Sequence, residues 1–268
     1  MSADQPFPSK RFGQHFLRDK HTIQRIIDAL APQSDETIVE IGPGTGALTA
    51  ELIPRAGRVI AVEFDKKLAP LLNEQFGNSP NFKLVMADAL ATDFCREIEP
   101  ALQARLAANL PYNISTAILQ RLIEQRACLR EMVVMLQREV VERMMAPPGS
   151  SERGFLSVLV EACCETEKLF DVAPSAFRPP PKVWSSVIRI RFKPQTYTGL
   201  FWETVSEGFK QKRKTILNNL RNATGELADA LRRNGGASIV LCKAGINVQR
   251  RAETLTIDEW NRIVRAMK

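Results

Sequence analysis

Thr37-Ile38-Val39-Glu40-Ile41 runs directly into Gly42-Pro43-Gly44-Thr45-Gly46, and a helical pattern opens at Ala47-Leu48-Thr49. The first five residues read as a short buried strand. The glycines form a turn whose backbone a ligand can approach closely, and the first turn of the following helix offers unpaired N–H groups. A strand, glycine loop and helix in this order predict an α/β fold with a nucleotide-type site beside the loop.

The next strands add chemistry to that site. Arg58-Val59-Ile60-Ala61-Val62-Glu63 ends on a carboxylate 21 residues after Gly42. An acid about 20 residues beyond such glycines hydrogen-bonds ribose hydroxyls in Rossmann-like sites. Lys83 to Ala89 is a third strand, and its Asp88 is placed to accept from an adenine amino group, although a simple turn cap uses the same residue type. A fourth strand ends at Asn109, and Met132 to Leu136 is a fifth. Ligands in open α/β sheets bind beyond the carboxyl ends of the strands, so Gly42, Glu63, Asp88 and Asn109 are expected to face one crevice. Gly42-x-Gly44-x-x-Ala47 also fits a dinucleotide, which leaves a dehydrogenase open. Glu40 argues against it. A carboxylate two residues before Gly42 suits a cationic amine, such as the methionine end of S-adenosylmethionine, and repels a pyrophosphate.

The turn after the fourth strand, Asn109-Leu110-Pro111-Tyr112, has its own logic. Pro111 fixes one φ and biases its predecessor away from helix, so the turn is stiff. It can hold still the Asn109 amide, the Leu110 carbonyl and the Tyr112 ring. Two acceptors and a stacking surface suit the exocyclic amino group of a base. That nitrogen is a poor nucleophile while its lone pair is delocalised, and hydrogen bonds to fixed acceptors favour the pyramidal form that attacks a methyl donor. Stacking of an extruded base is worth about 1–3 kcal/mol. Four residues alone also describe an ordinary strand-to-helix loop.

Charge points to a polyanion partner. Residues 1–192 carry 23 Lys and Arg against 23 Asp and Glu, whereas residues 193–268 carry 14 against 7. The net charge of +7 therefore lies in the last quarter of the chain. After a polar linker, Lys193 to Gly199, the chain reads as helical. Phe201 to Asn222 carries Lys210, Lys212, Arg213, Lys214 and Arg221, later segments include Glu226 to Asn234, and a last helix opens on the capping box Thr256-x-x-Glu259. The expected division is a methyltransferase-type domain over residues 1–195 and a basic, helical RNA-binding domain over 196–268. Between two further strands, Glu165 to Val172 and Ser185 to Phe192, three prolines at 179–181 make a rigid connector. There Phe177 either packs on the target base or anchors the loop in the core. Five cysteines without a CxxC pattern read as reduced thiols, and two histidines are too few for a His-based metal site. No run of membrane-spanning length and no apolar leader segment is seen, so a cytoplasmic protein away from membranes is expected.

Together these stretches resemble the KsgA-type ribosomal RNA adenine dimethyltransferases, cousins of the erythromycin-resistance methylases. The resemblance rests on Arg11-Phe12-Gly13-Gln14-His15-Phe16-Leu17, Glu40 to Gly46, Asn109 to Ser115, Ala176 to Val183 and Gln211 to Thr215, which keep the family's order over most of the chain. It implies a class I (Rossmann-like) S-adenosylmethionine-dependent methyltransferase domain followed by a small all-helical domain. It implies N6-dimethylation of two adjacent adenosines in a hairpin loop near the 3′ end of 16S rRNA, within the small (30S) ribosomal subunit; separately, a monomer without a metal is expected. Carried over by motif, the donor site is His15, Leu17, Gly42, Glu63, Asp88 and Asn109, with Glu40 and Gly44 added from the loop itself. His15 stands where some relatives carry Asn. The catalytic set is Asn109, Leu110, Tyr112 and Phe177. A non-catalytic rRNA-binding assembly factor and an adenine methylase acting on another RNA or on DNA fit many of the same residues.

Overall fold

The computed structural model describes residues 14–194 and 197–268. The described residues form two compact units, those up to Val141 with 165–192, and 142–164 with those from Lys193 onward.

Among the described residues, the first unit is built on nine strands: β1 (Phe16–Leu17), β2 (Thr37–Ile41), β3 (Arg58–Glu63), β4 (Phe82–Met86), β5 (Ala104–Asn109), β6 (Leu129–Gln137), β7 (Cys164–Val172), β8 (Phe177–Arg178) and β9 (Ser185–Phe192). Seven of them form one sheet in the order β4-β3-β2-β5-β6-β9-β7. β4 through β6 run parallel, and β9 pairs antiparallel with β6. Every residue of β2 is buried, as expected of a central parallel strand covered on both faces. The helix Lys20–Leu30 begins at Asp19, whose carboxylate accepts from the Thr22 N–H at 2.8 Å. Its apolar stripe, Ile23, Ile26, Ile27 and Leu30, joins Ile38, Val59, Ala107 and Val133 in one core.

Strand order reverses at β2, which has β3 on one side and β5 on the other. Ile41 is in register with Val62 and with Ala108, so the residues that follow, Gly42, Glu63 and Asn109, leave the sheet side by side. β1 and β8 form a separate two-stranded ribbon, with Phe16 opposite Arg178 and Leu17 opposite Phe177. This ribbon ties the N-terminal arm to the proline-rich connector. The motif residues Arg11, Phe12 and Gly13 lie outside the described residues.

The second unit is helical, with a core that includes Phe201, Val205, Leu220, Leu231, Val240 and Trp260. It also contains the helix Phe155–Cys163, so it takes in residues 142–164 as well as the expected C-terminal segment. The expected boundary between 195 and 196 falls on residues outside those described. The stretch read as helical over 201–222 holds two helices, Gly199–Phe209 and Ile216–Arg221. Thr215 caps the second by accepting from the Asn218 N–H, and the Asn219 amide donates to the carbonyls of Gly208 and Gln211, which satisfies groups a continuous helix would have used. The final helix, Ile257–Arg265, opens on the Thr256–Glu259 capping box as the sequence predicts.

Reduced cysteines throughout are not found. Cys95 and Cys128 are joined as a disulfide, while Cys163, Cys164 and Cys242 keep their thiols. The Gln125 amide accepts from the Phe94 N–H and donates to the Thr92 carbonyl, which brings two segments distant in sequence together. Among the described residues no helix is long and apolar enough to cross a membrane.

Candidate active site

A cavity of about 290 Å³ opens beyond the carboxyl ends of β2, β3, β4 and β5. Gly42, Gly44, Glu63 and Asp88 line one part of it, and Asn109, Leu110 and Tyr112 another. Two glycines are required by geometry. Gly42 and Gly44 have φ of +67° and +59°, and a Cβ on Gly44 would stand 2.9 Å from the Phe16 ring.

Glu63 is buried and its carboxylate accepts the backbone N–H groups of Phe64 and Asp65 at 2.8 Å and of Gly44 at 3.3 Å. Burial pushes its carboxyl above the ordinary glutamate range, and the three backbone donors oppose that rise. The bonds fix the acid against the glycine loop, at the cavity wall. Asp88 lines the cavity and also caps its own turn, accepting from the Leu90 N–H at 2.9 Å. The turn-cap reading of that residue is observed, and its place at the cavity wall is compatible with the other.

Glu40 and Leu17 do not reach the main cavity. They border a smaller recess of about 30 Å³ that shares Phe16, Gly42, Gly44 and Asn109 with it. Glu40 is 2% exposed and accepts from the Thr49 hydroxyl at 2.7 Å. Burial pushes its carboxyl up to about 7, with the Thr49 hydrogen bond opposing and the nearby Glu63 adding.

The Asn109 side-chain nitrogen donates to the His15 backbone carbonyl at 3.0 Å. This leaves its carbonyl oxygen as the acceptor. Because the contact is with the backbone, it is indifferent to the side chain at position 15. The His15 ring has a separate role. It stacks against Tyr112, with centroids 5.5 Å apart and an interplanar angle of 29°, and its Nδ1 is 2.7 Å from the Pro179 carbonyl oxygen. The Tyr112 hydroxyl and the Ser185 hydroxyl are 2.5 Å apart, and burial raises the phenol's pKa. Tyr112 is thus a neutral ring held at both its face and its tip.

Phe177 is the exception among the expected residues. It is 4% exposed, lines neither cavity, and packs in the core with Leu17, Ile23 and Ala176. Its pairing opposite Leu17 in the ribbon turns the ring inward. Sequence reasoning also missed Gln14, Phe64 and Asp65, all at the cavity. The Gln14 amide donates to Asp65 at 3.1 Å and so ties the arm to the loop after β3. Phe64, 57% exposed, directly follows the acid that ends β3, a position that could have signalled it.

Of the five basic residues singled out in the second unit, Lys212, Arg213 and Lys214 are exposed on the turn between two helices. Lys210 pairs with Glu207 at 3.2 Å, and Arg221 is exposed at the end of the next helix. Among the described residues no cluster of His, Cys, Asp and Glu is arranged to hold a metal ion.

Residues 8–268 match the family described as ribosomal RNA adenine dimethylase. A protein of Hahella chejuensis, ribosomal RNA small subunit methyltransferase A, is 41% identical over 95% of this chain and 90% of its own length. The protein of the same name from Nitrosococcus oceani is 40% identical over 96% and 94%. Among solved structures, a dimethyladenosine transferase from Plasmodium falciparum superposes with a TM-score of 0.78 at 26% identity, covering 94% of this chain and 96% of that one. The 23S rRNA methyltransferase ErmE superposes at 0.68 and 26%, covering 94% and 99%.

Proposed function

Since the chain belongs to the ribosomal RNA adenine dimethylase family, we propose that it transfers methyl groups from S-adenosylmethionine to the N6 amino groups of two adjacent adenosines near the 3′ end of 16S rRNA, on the small ribosomal subunit in the cytoplasm, and that it does so as a monomer. One observation carries the reading. The glycine loop and the Asn109 turn leave neighbouring strands and line a single cavity, so a donor and a base can meet there.

The residues fit the donor. Glu63 suits ribose hydroxyls, Asp88 an adenine amino group, and Glu40 an ammonium group near the glycine loop. The arm residues His15 and Leu17 border the two recesses. When bound, the sulfonium donor supplies an electrophilic methyl group. The protein's own contribution is position. The Asn109 carbonyl oxygen, oriented by its bond to His15, and the Leu110 carbonyl accept from the adenine amino group. Tyr112 stacks on the ring with the face that His15 does not cover. No side chain need act as a strong base, because the amine becomes cationic as it is methylated and its proton then leaves readily. Positioning of this kind supplies about 7–11 kcal/mol in well-oriented systems.

The exposed cations Lys212, Arg213 and Lys214 suit phosphate contacts, which set affinity rather than base choice. Transfer of labelled methyl to unmethylated small subunits, beside naked rRNA and DNA, tests the proposal. Label in the small subunit supports it. Binding without transfer would instead indicate an assembly factor, and label confined to another RNA or to DNA would redirect the substrate.

A further inference from the structure

The connector that contacts His15 and Tyr112 carries an aromatic ring the reaction does not use. Trp184 is 46% exposed and Val183 43%, although the next residue, Ser185, is fully buried with its hydroxyl against Tyr112. Two contacts tie this connector to the residues of the cavity, the Tyr112–Ser185 bond at one end and the approach of His15 to the Pro179 carbonyl at the other. Trp184 is anchored as well, since its carbonyl accepts from the Arg138 N–H at 2.9 Å. Its α-carbon is about 3.8 Å from that of Ser185. The side chain is therefore carried on a stiff segment, one residue along the chain from the hydroxyl that holds Tyr112.

The charge around it is mostly positive. Arg178 and Lys182 are exposed on the same connector, and Arg138 is exposed where its backbone holds Trp184. Of the acids here, Glu139 is exposed next to Arg138, and Asp171 is engaged by Lys168 and by the Ser186 hydroxyl, which with the charge of Arg138 hold its carboxyl below the usual carboxylate range. A flat apolar ring set among cations matches one partner chemistry, an unpaired nucleotide of a single strand. Each base offers a face for stacking and each phosphate a charge for Lys or Arg.

We propose that Trp184 stacks on an unpaired rRNA base flanking the target adenosine, with Lys182 neutralising an adjoining phosphate. The inference rests on the methyl-transfer reading above and extends it by a positioning residue outside the cavity.

The test uses the full-length chain and methyl transfer to unmethylated small subunits. Trp184→Ala is expected to raise KM for the subunit about tenfold, the scale of one lost stacking contact, with kcat and donor affinity kept. Trp184→Phe should recover most of the loss, and Trp184→Leu should not, because it restores apolar area without a stacking face. Lys182→Ala should lower the slope of binding against salt by about one phosphate contact. An unchanged KM for Trp184→Ala overturns the inference, and so does rescue by Trp184→Leu equal to that by Trp184→Phe, which would mark an apolar contact with protein. Lack of transfer by the wild-type chain would instead be a failure of the methyl-transfer reading.

Discussion

The Asn109 amide nitrogen donates to the main-chain carbonyl of His15, 94 residues earlier, at 3.0 Å. This bond fixes which end of the amide faces the cavity, and it fastens the N-terminal arm over the glycine loop. Replacing the amide therefore costs twice. Asn109→Ala removes an acceptor for the amine, with an expected loss of about 100-fold or more in kcat. Asn109→Asp should be no better, because it sets a carboxylate oxygen against the His15 carbonyl. Both should weaken donor binding through the loosened arm, which calorimetric titration would read. Wild-type kcat in Asn109→Ala would discard this role.

Tyr112 separates stacking from hydrogen bonding. Tyr112→Phe keeps the ring and loses the bond to Ser185, so it should remain within about tenfold of wild-type activity and cost about 1 kcal/mol of stability. Tyr112→Ala removes the stacking surface and should lose transfer while retaining most donor affinity. Denaturant melts and single-turnover transfer measure the two effects independently.

Glu40 should make the protein respond to pH in two opposite ways. Burial raises its carboxyl to about 7, so the folded chain holds the proton more tightly than the unfolded chain does. Without donor, this stabilises the fold below the unfolded glutamate value of about 4.3, and the contribution is lost as pH rises through about 7. Donor affinity should run the other way, because a carboxylate facing an ammonium group is charged above that value and neutral below it. Glu40→Gln should flatten both trends and raise apo stability at alkaline pH, by on the order of 1–3 kcal/mol. Thermal melts and donor titrations over the same pH series check both signs.

Gly44→Ala should weaken donor binding without unfolding the protein. The backbone there has φ +59° and an added Cβ would meet the Phe16 ring at 2.9 Å. A left-handed non-glycine residue costs about 1–2 kcal/mol, and relief would come from moving Phe16 away from the loop. Donor titration beside a melting curve shows whether affinity falls more than stability.

Charge reversal at Lys212, Arg213 and Lys214 should weaken binding to the small subunit and leave donor affinity as it was. Binding should also become less sensitive to salt, since fewer counterions are released. Wild-type affinity after reversal would place the footprint elsewhere.

Much of the sheet was legible because strand and ligand logic coincide. β2, β3, β5 and β9 end where their polar or glycine residues take over, and Gly42, Glu63, Asp88 and Asn109 converge as the crevice rule requires. What was not legible depends on contacts distant in sequence. Phe177 turns into the core because β8 pairs with β1, a ribbon of two residues a side that leaves no periodic signal. The break at Lys210 to Lys214 follows from the Asn219 amide and the Thr215 cap, each of which is also compatible with a continuing helix. The disulfide joins cysteines whose spacing has no pattern, and residues 142–164 join the helical unit through contacts distant in sequence, such as the Gly149 N–H to the Glu253 carbonyl.

The most direct test is to incubate wild-type chain with S-adenosylmethionine and unmethylated small subunits, then digest the 16S rRNA and identify its nucleosides by mass spectrometry. Two N6,N6-dimethyladenosines at adjacent positions near the 3′ end are expected, and none with Asn109→Ala. Methyl groups on another atom, or the same product from Asn109→Ala, would contradict the placement of amine transfer at this turn.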